Sequence, residues 1–254
     1  MGFRTALAFL TILPLPRGEI TPRALGRAVG FFPLVGVLLG SGLALVAWGT
    51  AHLFPPNVAA ALTLAAWVGS TGALHLDGFL DACDGLLGGH TPETRLHIMR
   101  DERIGAFAFA GGLLLLLTKY AALSHLLTTT SWPPLRPALA PWILAPTLGR
   151  FAMSHAVLLY PYARAQGLGR AMKDHAGWKE GLLAGSVTLG AVLALSGPLG
   201  LLRLILVVGT TVLLARWVLH RIPGLTGDVY GAICELTETI VLLTFVAQFP
   251  GGMG

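Results

Sequence analysis

Charge is scarce in this sequence: Lys and Arg number 17 and Asp and Glu 12 among 254 residues, 11% in all, against about 25% in soluble globular chains. With 54% apolar residues and a mean hydropathy of +0.73, that deficit excludes a soluble domain and places the chain among polytopic membrane proteins. Cysteine is nearly absent. Cys83 and Cys234 have no CxxC spacing, so neither a disulfide framework nor a zinc site is indicated, and both read as small buried residues. No dense basic run accompanies the net charge of +5, so a nucleic-acid partner is not supported. No repeat of fixed period and no low-complexity tract occurs, which argues against a solenoid or an obvious inverted-repeat architecture. No small-residue cleavage site follows Arg4 and the apolar stretch 5–13, and Pro14 and Pro16 interrupt it. Residues 3–13 read as a short interfacial or re-entrant helix rather than a signal peptide.

Apolar runs, by contrast, are plentiful. A spanning helix needs about 20 mostly apolar residues, and candidates lie at 32–54, 57–75, 105–127, 138–159, 181–197, 200–219 and 229–249. Helix breakers separate them at Pro55-Pro56, Trp132-Pro133-Pro134, Gly197-Pro198 and Pro223-Gly224. The expected fold is all-α, a single integral membrane bundle over 1–254 with about seven transmembrane helices and a short N-terminal helix. With the N-terminus cytoplasmic, the inside segments carry Arg4, Arg17, Arg23, Arg27, Arg95, Arg100, Arg103, Arg164, Arg170, Lys173, Lys179, Arg216 and Arg221, and the outside loops carry only Arg136. That bias supports the count of seven. It also puts Asp77, Asp81, Asp84, Asp101, Glu102, Asp174, Asp228 and Glu235 in or near the cytoplasmic segments, where they can line one cavity.

Asp77, Asp81 and Asp84 follow the second apolar run at spacings of four and three, which places them on one helical face. Three convergent anions repel one another unless a cation sits among them, and acids at a membrane edge are functional candidates. Hard oxygen ligands without sulfur or imidazole suit Mg²⁺ or Mn²⁺, and Mg²⁺ completes its shell with water and phosphate. His75 reads as a structural histidine at a helix end, with a supporting or general-base role as the other reading. Arg100 and Arg103 flank Asp101; two guanidiniums can clamp a diphosphate while Asp101 joins the metal shell. Gly167-Leu168-Gly169 with Arg170 and Lys173 forms a basic glycine loop. Gly227-Asp228 begins the last span as an acidic cap or anion site, and Glu235 two turns on favours a polar cavity. Lys119, Arg150 and His155 within spans read as ion-paired groups inside the bundle.

These residues carry a resemblance. Phe9-Leu10-Thr11 with Leu13-Pro14-Leu15-Pro16, Phe32-Pro33-Leu34-Val35-Gly36, His75-Leu76-Asp77-Gly78 through Asp81, Cys83-Asp84-Gly85, Met99-Arg100-Asp101, Arg103-Ile104-Gly105, Gly167-Leu168-Gly169, and Thr226-Gly227-Asp228 with Glu235 run in order across the chain. In these the sequence resembles the cobalamin synthase family, the adenosylcobinamide-GDP ribazoletransferases of vitamin B12 assembly. It departs at Glu102, where the family commonly has a small hydroxyl residue, and at 106–110, which lack a family-typical glycine.

The resemblance implies an enzyme of the bacterial or archaeal cytoplasmic membrane. It would join adenosylcobinamide-GDP to α-ribazole or its 5′-phosphate, release GMP and use Mg²⁺ at a cytoplasm-facing site. It further implies Asp77, Asp81, Asp84 and Asp101 as metal ligands, Asp77 being catalytic in that sense, and Arg100, Arg103 and Lys173 as charge stabilisers. Asp84 or Asp228 would accept the ribose hydroxyl proton, and His75 and Glu235 would face substrate. A homo-oligomer or a complex with other B12 assembly enzymes is compatible with this reading. The competing readings are a CDP-alcohol phosphotransferase-like or aspartate-rich prenyltransferase enzyme, and an ion-coupled transporter. Asp81-Ala82-Cys83-Asp84-Gly85 only begins the pattern of the first, and transporter sites usually sit near the midplane.

Overall fold

In the computed structural model, residues 2–14, 21–130 and 136–247 are described. Pro16, Arg17, the Trp132-Pro133-Pro134 break, the side chain of Arg136 and residues 248–249 of the last expected span lie outside that description. Twelve α-helices make up the described chain: α1 Gly2–Leu10, α2 Pro22–Val29, α3 Phe32–Leu53, α4 Pro56–Ser70, α5 Leu74–Cys83, α6 Pro92–Ile98, α7 Ala106–Thr129, α8 Arg136–Leu159, α9 Leu168–His175, α10 Trp178–Ser196, α11 Gly200–Leu219 and α12 Gly227–Val246. Among the described residues the only β-type pairing is an isolated bridge between Tyr162 and Leu225.

Among the described residues, five helical stretches are long and apolar enough to cross a membrane, or six when α4 and α5 count as one bent span. One of the five is the 42-residue stretch Trp178–Leu219, which as a single helix would reach about 63 Å, twice the hydrocarbon thickness. Gly197, at φ +57°, breaks it, and Pro198 opens the next turn, so α10 and α11 have 19 and 20 residues and each suits one crossing. Each of the seven expected spans thus has a helical counterpart. The outside is apolar, as a lipid-facing surface requires: Leu113, Leu114 and Leu117 of α7 and Ile205 and Leu213 of α11 are exposed. Inside, the buried hydroxyls of Thr63, Thr188 and Thr211 are satisfied by the carbonyls one turn back.

The second span departs from the straight helix expected over 57–75. α4 has 15 residues, about 22 Å, too short to cross alone. Gly72 and Ala73 both take left-handed φ values, +60° and +59°, and the chain turns 89° between α4 and α5. Hydrogen bonds from Ala73 N to Val68 O (3.0 Å) and from Ile12 N to Ser70 O (3.0 Å) hold that corner. Hydropathy continues through the corner, so an apolar count alone reads it as one helix. The consequence is that α5, with its carboxylates, starts inside the bundle. The three shorter helices α2, α6 and α9 were also not expected; α2 and α6 begin with Thr21 and Thr91 as side-chain caps followed by proline.

The central pair is α3 against α8. Gly36 and Gly40, one turn apart, let the backbones meet: a Cβ on Gly36 would lie 2.6 Å from Pro146 O, and one on Gly40 2.6 Å from Ile143 Cα. α8 then packs on α12, and α12 on α5. Gly40→Val should lower stability in lipid nanodiscs by about 1–3 kcal/mol. Gly42→Val, at a glycine with open space around it, should change it by less than about 0.5 kcal/mol. Equal thermal unfolding of the two variants would contradict this packing.

Candidate active site

A cavity of about 560 Å³ lies where α5, α8, α9 and α12 meet the loops that join them. Its polar wall consists of His75 and Asp77 at the start of α5, Arg100 after α6, Tyr162, Arg164 and Gln166 after α8, and Asp228 and Tyr230 of α12. Phe9, Phe32, Met153 and Val157 close its apolar side. The residues that line it are far apart in sequence, yet its charged members all come from segments that the charge alternation assigns to one side.

Glycine sets the geometry. A Cβ on Gly78 would lie 3.0 Å from the Asp228 Cα, and one on Gly231 would lie 2.8 Å from His75 O, so α5 and α12 touch backbone to backbone. That contact brings Asp77 and Asp228 to the same cavity. The turn between α11 and α12 is fastened to the segment after α8 by Ala163 N to Leu225 O and Leu225 N to Pro161 O, both 2.8 Å, with Gly224 in van der Waals contact beneath. The fastening aligns Arg164 Nη2 with Asp228 Oδ2 at 2.6 Å. The cap of α12 is Thr226 rather than Asp228: its hydroxyl oxygen accepts from Val229 N at 3.2 Å, while its O–H lies 3.2 Å from Asp228 Oδ2.

Asp81, one turn beyond Asp77, is half-buried and lies in the field of Asp228, Asp77 and Asp84, offset by Arg164. Asp84 points elsewhere. Its Oδ2 accepts from Gly105 N at 2.6 Å and its Oδ1 from Ala108 N at 2.8 Å, so it caps α7 across 21 residues of chain. The three acids therefore do not converge on one point: both oxygens of Asp84, where the π turn begins, are taken by the start of α7. Asp101 and Arg103 satisfy each other on the surface, Nη2 to Oδ2 at 2.7 Å and Nε to Oδ1 at 3.0 Å, and Arg103 is 88% exposed. Those hydrogen bonds hold the Asp101 carboxyl down at about 2.

Lys173 also turns from the cavity, to the Leu158 carbonyl at 2.8 Å near the end of α8, and burial lowers its pKa. Glu235 is enclosed in the bundle, where Lys119 Nζ donates to it at 2.5 Å and to Glu238 at 2.6 Å; Arg150 pairs with the other oxygen of Glu238. The expected ion pairing of Lys119 and Arg150 is present. His155 instead lies against the rings of Phe151 and Tyr160.

Of the site residues expected from the sequence, His75, Asp77, Arg100 and Asp228 line the cavity, and Asp81 adjoins Asp77 and Asp228. Arg164 was missed as a site residue. The sequence places it in a basic loop beside the cavity, and no local motif marks it as a site residue. Among the described residues, three polar atoms on cavity-lining residues are buried without a protein partner: His75 Nε2, Arg164 Nε and Tyr230 Oη. Arg100 makes no ion pair among the described residues. No three acids, imidazoles or thiols among the described residues form a ready metal cage. The cavity offers two guanidiniums suited to phosphate oxygens, beside hard carboxylate oxygens.

A family model described as Cobalamin-5-phosphate synthase matches residues 2–246. The chain is 37% identical over 248 residues to the adenosylcobinamide-GDP ribazoletransferase of Roseiflexus sp. (strain RS-1), covering 96% of this chain and 89% of the relative. It is 42% identical over 255 residues to that of Pseudomonas entomophila (strain L48), covering 96% and 97%, and 39% over 250 residues to that of Desulfitobacterium hafniense (strain Y51), covering 96% of each. No solved structure matches.

Asp84→Ala should cost about 0.5–2 kcal/mol of unfolding free energy through the lost α7 cap, while Asp77→Asn should leave unfolding in nanodiscs unchanged. The reverse order would contradict the placement of the two acids. Arg103→Gln should return the Asp101 carboxyl from about 2 toward the ordinary value of about 3.9 in a carboxyl NMR titration. The folded value lies below the unfolded one, so the clasp's stabilisation is present above about pH 4 and is lost as pH falls through about 2.

Proposed function

We propose that this chain, which belongs to the cobalamin-5-phosphate synthase family, is an adenosylcobinamide-GDP ribazoletransferase whose active site is the cavity between α5, α8, α9 and α12. The observation that carries the assignment is the meeting of Asp77 and Asp228 with Arg100 and Arg164 in one cavity. Two acids alone would fit many sites. Two acids beside two guanidiniums, with an apolar wall opposite, fit a diphosphate joined to a large organic group. The chain is a multi-pass membrane protein. Thirteen basic residues on one side against one on the other support a cytoplasmic-membrane enzyme with this cavity facing the cytoplasm.

In the reaction, a ribose hydroxyl oxygen of α-ribazole or its 5′-phosphate attacks the cobinamide-side phosphorus of the diphosphate. The bond from that phosphorus to the bridging oxygen breaks, and GMP departs with the electron pair. Arg100 and Arg164 hold phosphate oxygens by charge-assisted hydrogen bonds. As substrate takes Arg164, Asp228 is released to accept the hydroxyl proton. The apolar wall orients the cobinamide side and excludes water, so that ribazole rather than water is the acceptor.

Mg²⁺ fits the donor chemistry: hard carboxylate oxygens of Asp77, with Asp81 or Asp228 nearby, and room for waters and phosphate in place of a closed protein cage. When bound it would neutralise diphosphate oxygens and the leaving phosphate. Family membership disfavours the CDP-alcohol phosphotransferase-like, prenyltransferase and transporter readings.

Purified protein in lipid should release GMP from adenosylcobinamide-GDP and α-ribazole phosphate only with a divalent cation present. Asp77→Asn should lower kcat about 10²- to 10³-fold with the folded protein still in the membrane. Arg164→Ala, losing a charged hydrogen bond to phosphate, should weaken adenosylcobinamide-GDP binding about 10- to 100-fold. Full activity of Asp77→Asn, or no GMP under these conditions, would refute the assignment.

A further inference from the structure

Behind the cavity lies a set of buried charges that the reaction as described does not use. Arg150 of α8 is fully buried; one arm pairs with Glu238 of α12, and the other, Nη2, lies 3.3 Å from Nδ1 of His75. Glu238 also accepts from Lys119, which bridges to Glu235. A guanidinium is donor-only and stays protonated in proteins. Hence the bond to His75 can exist only if Nδ1 presents its lone pair, and the ring proton then sits on Nε2. That Nε2 is buried, has no partner among the described residues, and belongs to a residue in the wall of the cavity. Arg150 is itself held against rotation by Glu238, so the orientation of the ring is fixed from behind.

We infer that Arg150 is a positioning residue which fixes His75 as an Nε2–H hydrogen-bond donor to a substrate oxygen, and that His75 is therefore not the base of the reaction. The inference rests on the active-site reading above for the identity of the acceptor, a phosphate or ribose oxygen. The tautomer itself follows from the Arg150 contact. A donor fixed before substrate arrives needs no reorganisation as charge grows on the phosphoryl oxygens. The division of roles follows: proton acceptance falls to a carboxylate, and His75 donates.

The test uses the full chain, ¹⁵N-labelled at histidine, in lipid nanodiscs without substrate, with the His75 signals assigned by difference from His75→Gln. The native protein should show the proton on Nε2 alone, and Arg150→Lys should show both tautomers. A proton on Nδ1, or on both nitrogens, in the native protein overturns the inference, and that spectrum decides even if the Arg150 variant fails to insert. In GMP-release kinetics Arg150→Lys should lower kcat about 10- to 100-fold with KM within about threefold. His75→Gln, which keeps an N–H donor, should retain more activity than His75→Ala. Equal activity of those two variants would also overturn the donor role. Because the spectrum is taken without substrate, failure of the transferase reading leaves it intact, and a wrong tautomer with GMP release preserved refutes this inference alone.

Discussion

The structure depends on a charge balance buried among helices. Lys119 of α7, Arg150 of α8 and Glu235 and Glu238 of α12 are two cations and two anions, all buried, and Lys119 also lies over the Trp67 ring of α4 at 4.7 Å. Charges in a bilayer are costly unless paired, and removing one partner of a buried pair commonly costs about 3–5 kcal/mol because it strands the other. The network accordingly ties α7, α8 and α12 to one another. Through His75 it also fixes where α5 begins.

That fixed origin gives the corner at Gly72 and Ala73 its significance. A straight second span would deliver Asp77 at the end of a membrane crossing. The 89° turn instead starts α5 within the bundle, and the glycine contacts at Gly78 and Gly231 press it onto α12. Asp77 and Asp228 then share a cavity, while Asp84, at the end of α5 where the π turn begins, caps α7. Spacings of four and three put three acids on one face, but which of them meet is decided by the donors each finds, and those of Asp84 are N–H groups at the start of α7.

Much of this was legible in the sequence. Apolar length and basic-residue alternation gave the all-α bundle and the segments that share one end, because burial in lipid and the siting of loop cations are composition-level effects. Asp77, Arg100 and Asp228 stood out as acids and guanidiniums beside spans. The corner was not legible, since Ser70 to Ala73 are small residues that hydropathy passes over and the second left-handed residue is an alanine. Arg164 and Arg150 looked like an ordinary loop cation and an ordinary buried charge. Their partners lie 64 and 88 residues away, beyond any local pattern. The Arg103–Asp101 clasp shows the opposite error: Arg103, expected to clamp a diphosphate with Arg100, and Asp101, expected in the metal shell, satisfy each other on the surface.

The central claim, that the cavity between α5, α8, α9 and α12 is the substrate site, is tested most directly by protection. Gln166→Cys in a chain lacking Cys83 and Cys234 places one thiol on the cavity wall, and His90→Cys places one on an exposed loop outside it. With adenosylcobinamide-GDP and a divalent cation at about ten times Kd, maleimide labelling at position 166 should slow about tenfold by mass action while labelling at 90 is unchanged. Equal labelling at 166 with and without substrate would contradict the account.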